Sequence, residues 1–224
     1  MGKAHGKQVA SIAVDALMAG MVVLVVTTAL VAEAPHEYLG LVLFALIIAH
    51  IVLNRRWFAA LGRGRWTAVR VLQAVSVLGL AICIVGQAAS AVVLSKHALA
   101  FLPPIPGSAF ARSIHLMCSH WAFVFAFAHA GLQVKNILLR VGGAAPPNRV
   151  ALWALRIVVA ALSAFGAVSF VQLELGAYLT GQVQFAAGDP NILFAGIRWA
   201  SVAVLVAAVF HYLRLALEPF GRGS

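Results

Sequence analysis

Residues 36–50 read HEYLGLVLFALIIAH. Between two histidines lies an almost unbroken apolar run, long enough with its flanks to cross the hydrocarbon of a bilayer. An imidazole at each end of such a segment is a cost that needs a reason. The rest of the chain has the same character: 224 residues, 63% hydrophobic, 10% charged, with a mean hydropathy of +0.99. That composition leaves too little polar surface for a water-soluble domain. The apolar runs are continuous rather than alternating, so they predict helices and not a barrel.

Six transmembrane helices are predicted, over 9–32, 37–54, 69–95, 112–139, 150–173 and 194–214, giving an all-α polytopic bundle. Turn chemistry separates them: Ala34-Pro35, LGRGR at 61–65, FLPPIPGS at 101–108, VGGAAPPN at 141–148 and the stretch GQVQFAAGDPN at 181–191. The first run is longer than a secretory h-region, and the site at Ala32-Glu33-Ala34 would be followed by Pro35, so it is read as a retained helix.

The formal net charge of +10 sits in short clusters between the runs, which is how membrane topology uses Lys and Arg; nucleic-acid binding is therefore discounted. Thirteen of the 16 Lys and Arg residues fall on the side of both termini: Lys3, Lys7, Arg55, Arg56, Arg63, Arg65, Arg70, Lys135, Arg140, Arg149, Arg156, Arg214 and Arg222. Lys96, Arg112 and Arg198 fall on the other. Both termini are thus expected in the cytoplasm. Cys83 and Cys118 lie inside apolar runs, and no CxxCH is present to attach haem covalently.

A second run, HLMCSHWAFVFAFAH at 115–129, repeats the spacing of the first: His36 and His50 are 14 residues apart, as are His115 and His129. Fourteen helical steps return to within ~40° of the starting direction and rise ~21 Å, so each pair shares a helix face and spans most of the hydrocarbon layer. Both runs cross in the same direction. His36 and His115 then share an outer layer, and His50 and His129 an inner one. This is the pattern expected of two b-type haems, each ligated by one histidine from each helix. Zinc would require its ligands clustered rather than in two layers.

Other residues are secondary. Arg112, one turn before His115, is the expected outer propionate partner, with Arg55, Arg56 and Arg70 flanking the inner layer. Gly40 and Gly131, with Gly79 and Gly86 on the third run, suit close approach to a macrocycle, although small residues also serve helix packing. His120 lies 140° around its helix from His115 and is expected to bond a neighbouring helix. His5 and His97 are read as solvated or interfacial, His211 as an inner-side anchor or substitute ligand, and Asp15 as the partner of a basic neighbour.

The N-terminal 140 residues resemble the flavinylation-associated membrane cytochromes, a bacterial family. The matching stretches are DALMAG at 15–20, HEYLGLVLFALIIAHIVLNRRWF at 36–58, GRWTAVRVL at 64–72, SKHALAFL at 95–102 and ARSIHLMCSHWAFVFAFAHAGLQ at 111–133. The histidine spacing is also similar to that in the cytochrome b subunit of respiratory quinol–cytochrome c oxidoreductases. Where the family leads one to expect HxGxH, this chain has His129-Ala-Gly-Leu-Gln133, which leaves His129 as the inner ligand.

The resemblance implies a bacterial inner-membrane cytochrome with two non-covalent haem b groups. It would pass electrons from quinol or a cytoplasmic donor to an extracytoplasmic protein bearing FMN or haem. On this reading, residues 1–140 form a four-helix haem-binding core, and residues 141–224 add two transmembrane helices of unassigned role. The rivals are a quinol-oxidising subunit using His120 or Glu37, a non-redox transporter, and a scaffold whose histidines merely pack.

Overall fold

The structure, a computed structural model, describes residues 2–29, 32–63, 65–141, 148–183 and 191–218. Most of the turns expected at 141–148 and 181–191, Arg222, and the side chains of Lys3, His5, Lys7 and Arg140 lie outside the described residues. Among those described the chain is all helix, with no strand: α1 (Gly2–Thr28), α2 (Glu33–Leu53), α3 (Arg55–Ala59), α4 (Ala68–Leu94), α5 (Ser108–Val141), α6 (Arg149–Gln172), α7 (Leu175–Leu179) and α8 (Ile192–Leu217).

Among the described residues five helices are, by length and composition, apolar enough to cross a membrane: 9–28 of α1, and the whole of α2, α4, α6 and α8. The chain is a multi-pass membrane protein. Helix α5 is the longest, at 34 residues, but its three histidines dilute its apolar character, so it falls outside that set.

Helix starts follow ordinary capping chemistry. Thr67 accepts from the amide of Arg70, Asn148 from Val150 and Asn191 from Phe194, each satisfying an orphan donor of the first turn. Ala34-Pro35 is not the break between the first two long helices. Helix α2 already begins at Glu33, and Pro35 sits in its first turn, where a missing N–H costs nothing. The short helices α3 and α7 have no counterpart in the apolar periodicity. Helix α7 follows Glu174, which takes a left-handed backbone (φ 51°) and redirects the chain after α6.

The core lies where α5, α7 and α8 meet, around Phe123, Phe127, Leu175, Trp199, Val202 and Ala203, with Ala19, Val22, Val23 and Val26 of α1 packed against it. Two glycines set how closely helices approach. A Cβ on Gly131 of α5 would lie 2.2 Å from the carbonyl oxygen of Ala207 on α8, and one on Gly166 of α6 would lie 2.3 Å from that of Ser201. Backbones this close are the small-residue packing characteristic of membrane helices.

Helix α2 is different. It packs along α1, contains no buried residue, and does not pack closely on α5. Its start is tied down by Glu37, whose carboxylate accepts from Ser95 Oγ (2.7 Å) and from the amides of Lys96 (2.9 Å), His97 (3.0 Å) and Ala98 (2.8 Å). Glu33 adds an exposed ion pair to Lys96. Glu37→Ala strands three backbone donors and is expected to lower stability by about 1–3 kcal/mol. Amide exchange at residues 96–98 should accelerate, and unchanged exchange there would show that Glu37 does not hold this loop.

Candidate functional site

The site is assembled from α2 and α5, with α1 and α4 supplying a second ring of partners. At the end of the bundle bearing the 95–107 loop, the rings of His36 and His115 lie edge to face with centroids 6.1 Å apart and planes at 73°. A ligating imidazole nitrogen lies ~2.0 Å from a first-row metal, with the ring centroid about 1.1 Å further along the same line. Two imidazoles on opposite sides of one metal therefore hold their centroids ~6.2 Å apart. Ring spacing alone also suits an edge-to-face contact; the tautomers carry the distinction.

His36 Nδ1 is 3.1 Å from the carbonyl oxygen of Val25 on α1. A carbonyl only accepts, so Nδ1 carries the proton and Nε2 keeps its lone pair. His115 Nδ1 is 3.0 Å from Ser90 Oγ on α4. Ser90 has one hydroxyl proton, which it donates to Gly86 O at 2.7 Å, so its oxygen accepts from His115 Nδ1–H. Each Nε2 is then left with its lone pair. This is the outer hydrogen bonding that orients metal-bound histidines.

At the opposite end, His50 Nδ1 donates to Asp15 Oδ1 on α1 at 2.7 Å, which again leaves Nε2 free. Asp15, expected to pair with a basic neighbour, pairs with this imidazole. Asn54, four residues on, caps α2 by donating to His50 O (3.0 Å). His129 lies within electrostatic reach of His50 and Asp15, and its Nδ1 is buried with no hydrogen-bond partner. A buried imidazole nitrogen without a partner is costly. His36 thus stands beside His115, and His129 lies within electrostatic reach of His50.

The remaining expected residues divide. Gly40 has open space where a Cβ would be, which leaves room against α2 beside the first layer. Gly131 does not serve a macrocycle: it is occupied by the Ala207 backbone. Gly79 and Gly86 likewise meet side chains of α5, the Phe125 ring and Cys118 Sγ, each at 2.6 Å. Arg112 is exposed, one turn before His115. Arg70 is spent on the carbonyls of Ala60, Leu61 and Arg65 and stacks over Trp66, so it organises the 60–66 loop rather than the histidine layer.

His120 is 7% exposed and lies against Tyr178 of α7 and Trp199 of α8. It bonds the Leu116 carbonyl of its own helix (2.7 Å), rather than a neighbouring helix, and stacks on Tyr178 at 4.0 Å. His97 lies 3.9 Å from Glu33, and His211 Nδ1 is buried without a partner. Sequence reasoning missed Arg214, which is 8% exposed. It bonds Leu132 O, Asn136 Oδ1 and Glu218, which also pairs with Lys135, and so clamps the ends of α5 and α8. Its place in the last turn of an apolar run was the only signal.

Among the described residues no three His, Cys, Asp or Glu side chains converge as a metal site. A site built from these histidines supplies two protein ligands per layer, and any other donors must come with the metal. No protein-family model, curated protein or solved structure matches the chain.

Proposed function

We propose that the chain is a transmembrane dihaem b-type cytochrome. It would hold one haem between His36 and His115 and a second between His50 and His129. The observation that carries the reading is the 6.1 Å His36–His115 pair with both Nδ1 atoms engaged by Val25 and Ser90. Two protein nitrogens per layer would suit a metal whose other donors come from a porphyrin. Haem, when bound, supplies a reversible one-electron couple.

The chain's own residues do the rest. His36, His50 and His115 present Nε2 in a fixed tautomer. Gly40 leaves space beside α2. Helix α5 is then the sixth span, and the thirteen-to-three distribution of Lys and Arg puts both termini and the His50–His129 layer on the cytoplasmic side. The motifs at 15–20, 36–58 and 111–133 support kinship with flavinylation-associated cytochromes of the bacterial cell membrane. Electrons would pass from quinol or a cytoplasmic donor to an extracytoplasmic flavin or haem protein.

Rival readings find less support. Both carboxylate oxygens of Glu37 are occupied by four donors, which leaves a quinol-oxidising role resting on His120. A transporter needs polar groups facing a path; of Ser76, Ser119 and Ser163, the first two are bonded to carbonyls of their own helices, and Ser163 Oγ is buried without a partner. The test is a dithionite-reduced minus oxidised absorption spectrum of protein expressed with ample haem, with haem quantified per chain. Two low-spin b-type haems per chain are expected, and a colourless protein would end the cytochrome reading.

A further inference from the structure

Three of the four candidate ligand histidines have a visible partner on Nδ1, and the partners are not alike. At the His36–His115 level they are a backbone carbonyl and a serine hydroxyl, both neutral. At the His50–His129 level the partner is the Asp15 carboxylate, at 2.7 Å. We infer that Asp15 makes the His50–His129 level the lower-potential member of the pair and so sets the direction of electron flow, outward from the end bearing the 54–67 loop. This rests on the dihaem reading.

The physical argument has two parts. A charge-assisted hydrogen bond to a carboxylate is shorter and stronger than one to a neutral oxygen. It draws the Nδ1 proton toward Asp15 and raises the basicity of Nε2, which donates more strongly to the metal. Stronger donation favours ferric over ferrous iron. The anionic carboxylate adds a Coulombic preference for ferric iron, moderated by the 28% exposure of Asp15. Among the described residues no Lys or Arg is ion-paired with Asp15; its partner is His50.

Among the described residues, the groups shown beside His50 and Asp15 are an amide and an imidazole. Asn54 presents a neutral amide 3.4 Å from His50 Nδ1, and His129 brings an imidazole from α5. The arginines of this end with visible partners are turned to other tasks: Arg70 to loop carbonyls, Arg214 to Glu218, Asn136 and Leu132. The transfer balances as one electron. With haem bound, the iron held at the His50 level would be oxidised from ferrous to ferric and that held at the His36 level reduced from ferric to ferrous. No proton leaves, because the Nδ1–H···Oδ1 bond persists.

The test is a redox titration of the full, haem-loaded chain. Asp15→Asn keeps an acceptor oxygen and removes the charge. It is expected to raise the lower midpoint potential, weakening the ferric preference at least tenfold, ~59 mV for a one-electron couple, while the upper potential stays in place. An unmoved lower potential, or a shift confined to the upper one, overturns the proposal. His36→Ala provides a check that does not depend on how the Asp15 variant folds: the single haem it retains should titrate at the lower potential, and a higher one is equally fatal. Failure of the wild type to bind haem would instead sink the dihaem reading itself.

Discussion

His115→Ala is expected to halve the haem bound per chain, from two to one, without unfolding the bundle. The ring it removes faces His36 at 6.1 Å and bonds only Ser90 beyond its own helix. Ser90 keeps its hydroxyl bonds to the Gly86 and Gln87 carbonyls, so the loss leaves no stranded donor on α4. The surviving haem should keep the spectrum of a bis-histidine site at the His50–His129 level. His120→Ala is the matched comparison. That ring is on the same helix and more buried but stacks on Tyr178, and its loss should leave two haems while costing stability through a core void. Haem per chain by pyridine haemochrome, read beside a melting curve, separates the two. If His115→Ala retained two haems and His120→Ala one, the pairing would be wrong.

The second large effect is structural. Gly131→Ala places a methyl group 2.2 Å from Ala207 O and 2.9 Å from that residue's Cα and carbonyl carbon. All three obstacles are backbone atoms of α8, so no rotamer can relieve the clash, and the helices must separate. Overpacking typically costs 1–3 kcal/mol, and this site should fall at or above the top of that range, about 3 kcal/mol. The displacement also shifts His129, two residues away, so occupancy of its level should fall together with the melting temperature. Gly176→Ala, at a helical position with nothing within 4 Å, is expected to melt within a degree or two of wild type. Equal melting temperatures for the two variants would mean that α5 and α8 do not meet at Gly131.

Much of this arrangement was legible from the chain, for identifiable reasons. The 14-residue recurrence of histidine in two apolar runs encodes a shared face at two depths, because helix geometry is rigid over that length. The Nδ1 partners were not legible. Val25, Ser90 and Asp15 belong to other helices, and no local pattern says which carbonyl or hydroxyl will face a given ring. Asp15 was visible as a charge in an apolar run, but its partner is an imidazole 35 residues away.

Glycine misled in one direction. A glycine beside a ligand histidine reads equally as room for a cofactor or as room for a helix. Gly40 has open space, while Gly131 is filled by a neighbouring backbone. The break at Ala34-Pro35 was misplaced because proline also marks a helix's first turn. Arg214 was counted only as topological charge, although it clamps two helices.

The loose seating of α2 has a consequence for biogenesis. This helix is bound along α1 and pinned at its start by Glu37, with no buried residue of its own. Two of the four candidate ligands nevertheless sit on it. On the dihaem reading, each haem cross-links this peripheral helix to the interior of the bundle, and ligand occupancy adds directly to its hold. Haem supply would then act as a checkpoint in membrane assembly. Chains inserted during haem starvation would carry a detachable second helix, exposed to membrane proteases, while loaded chains would be sealed.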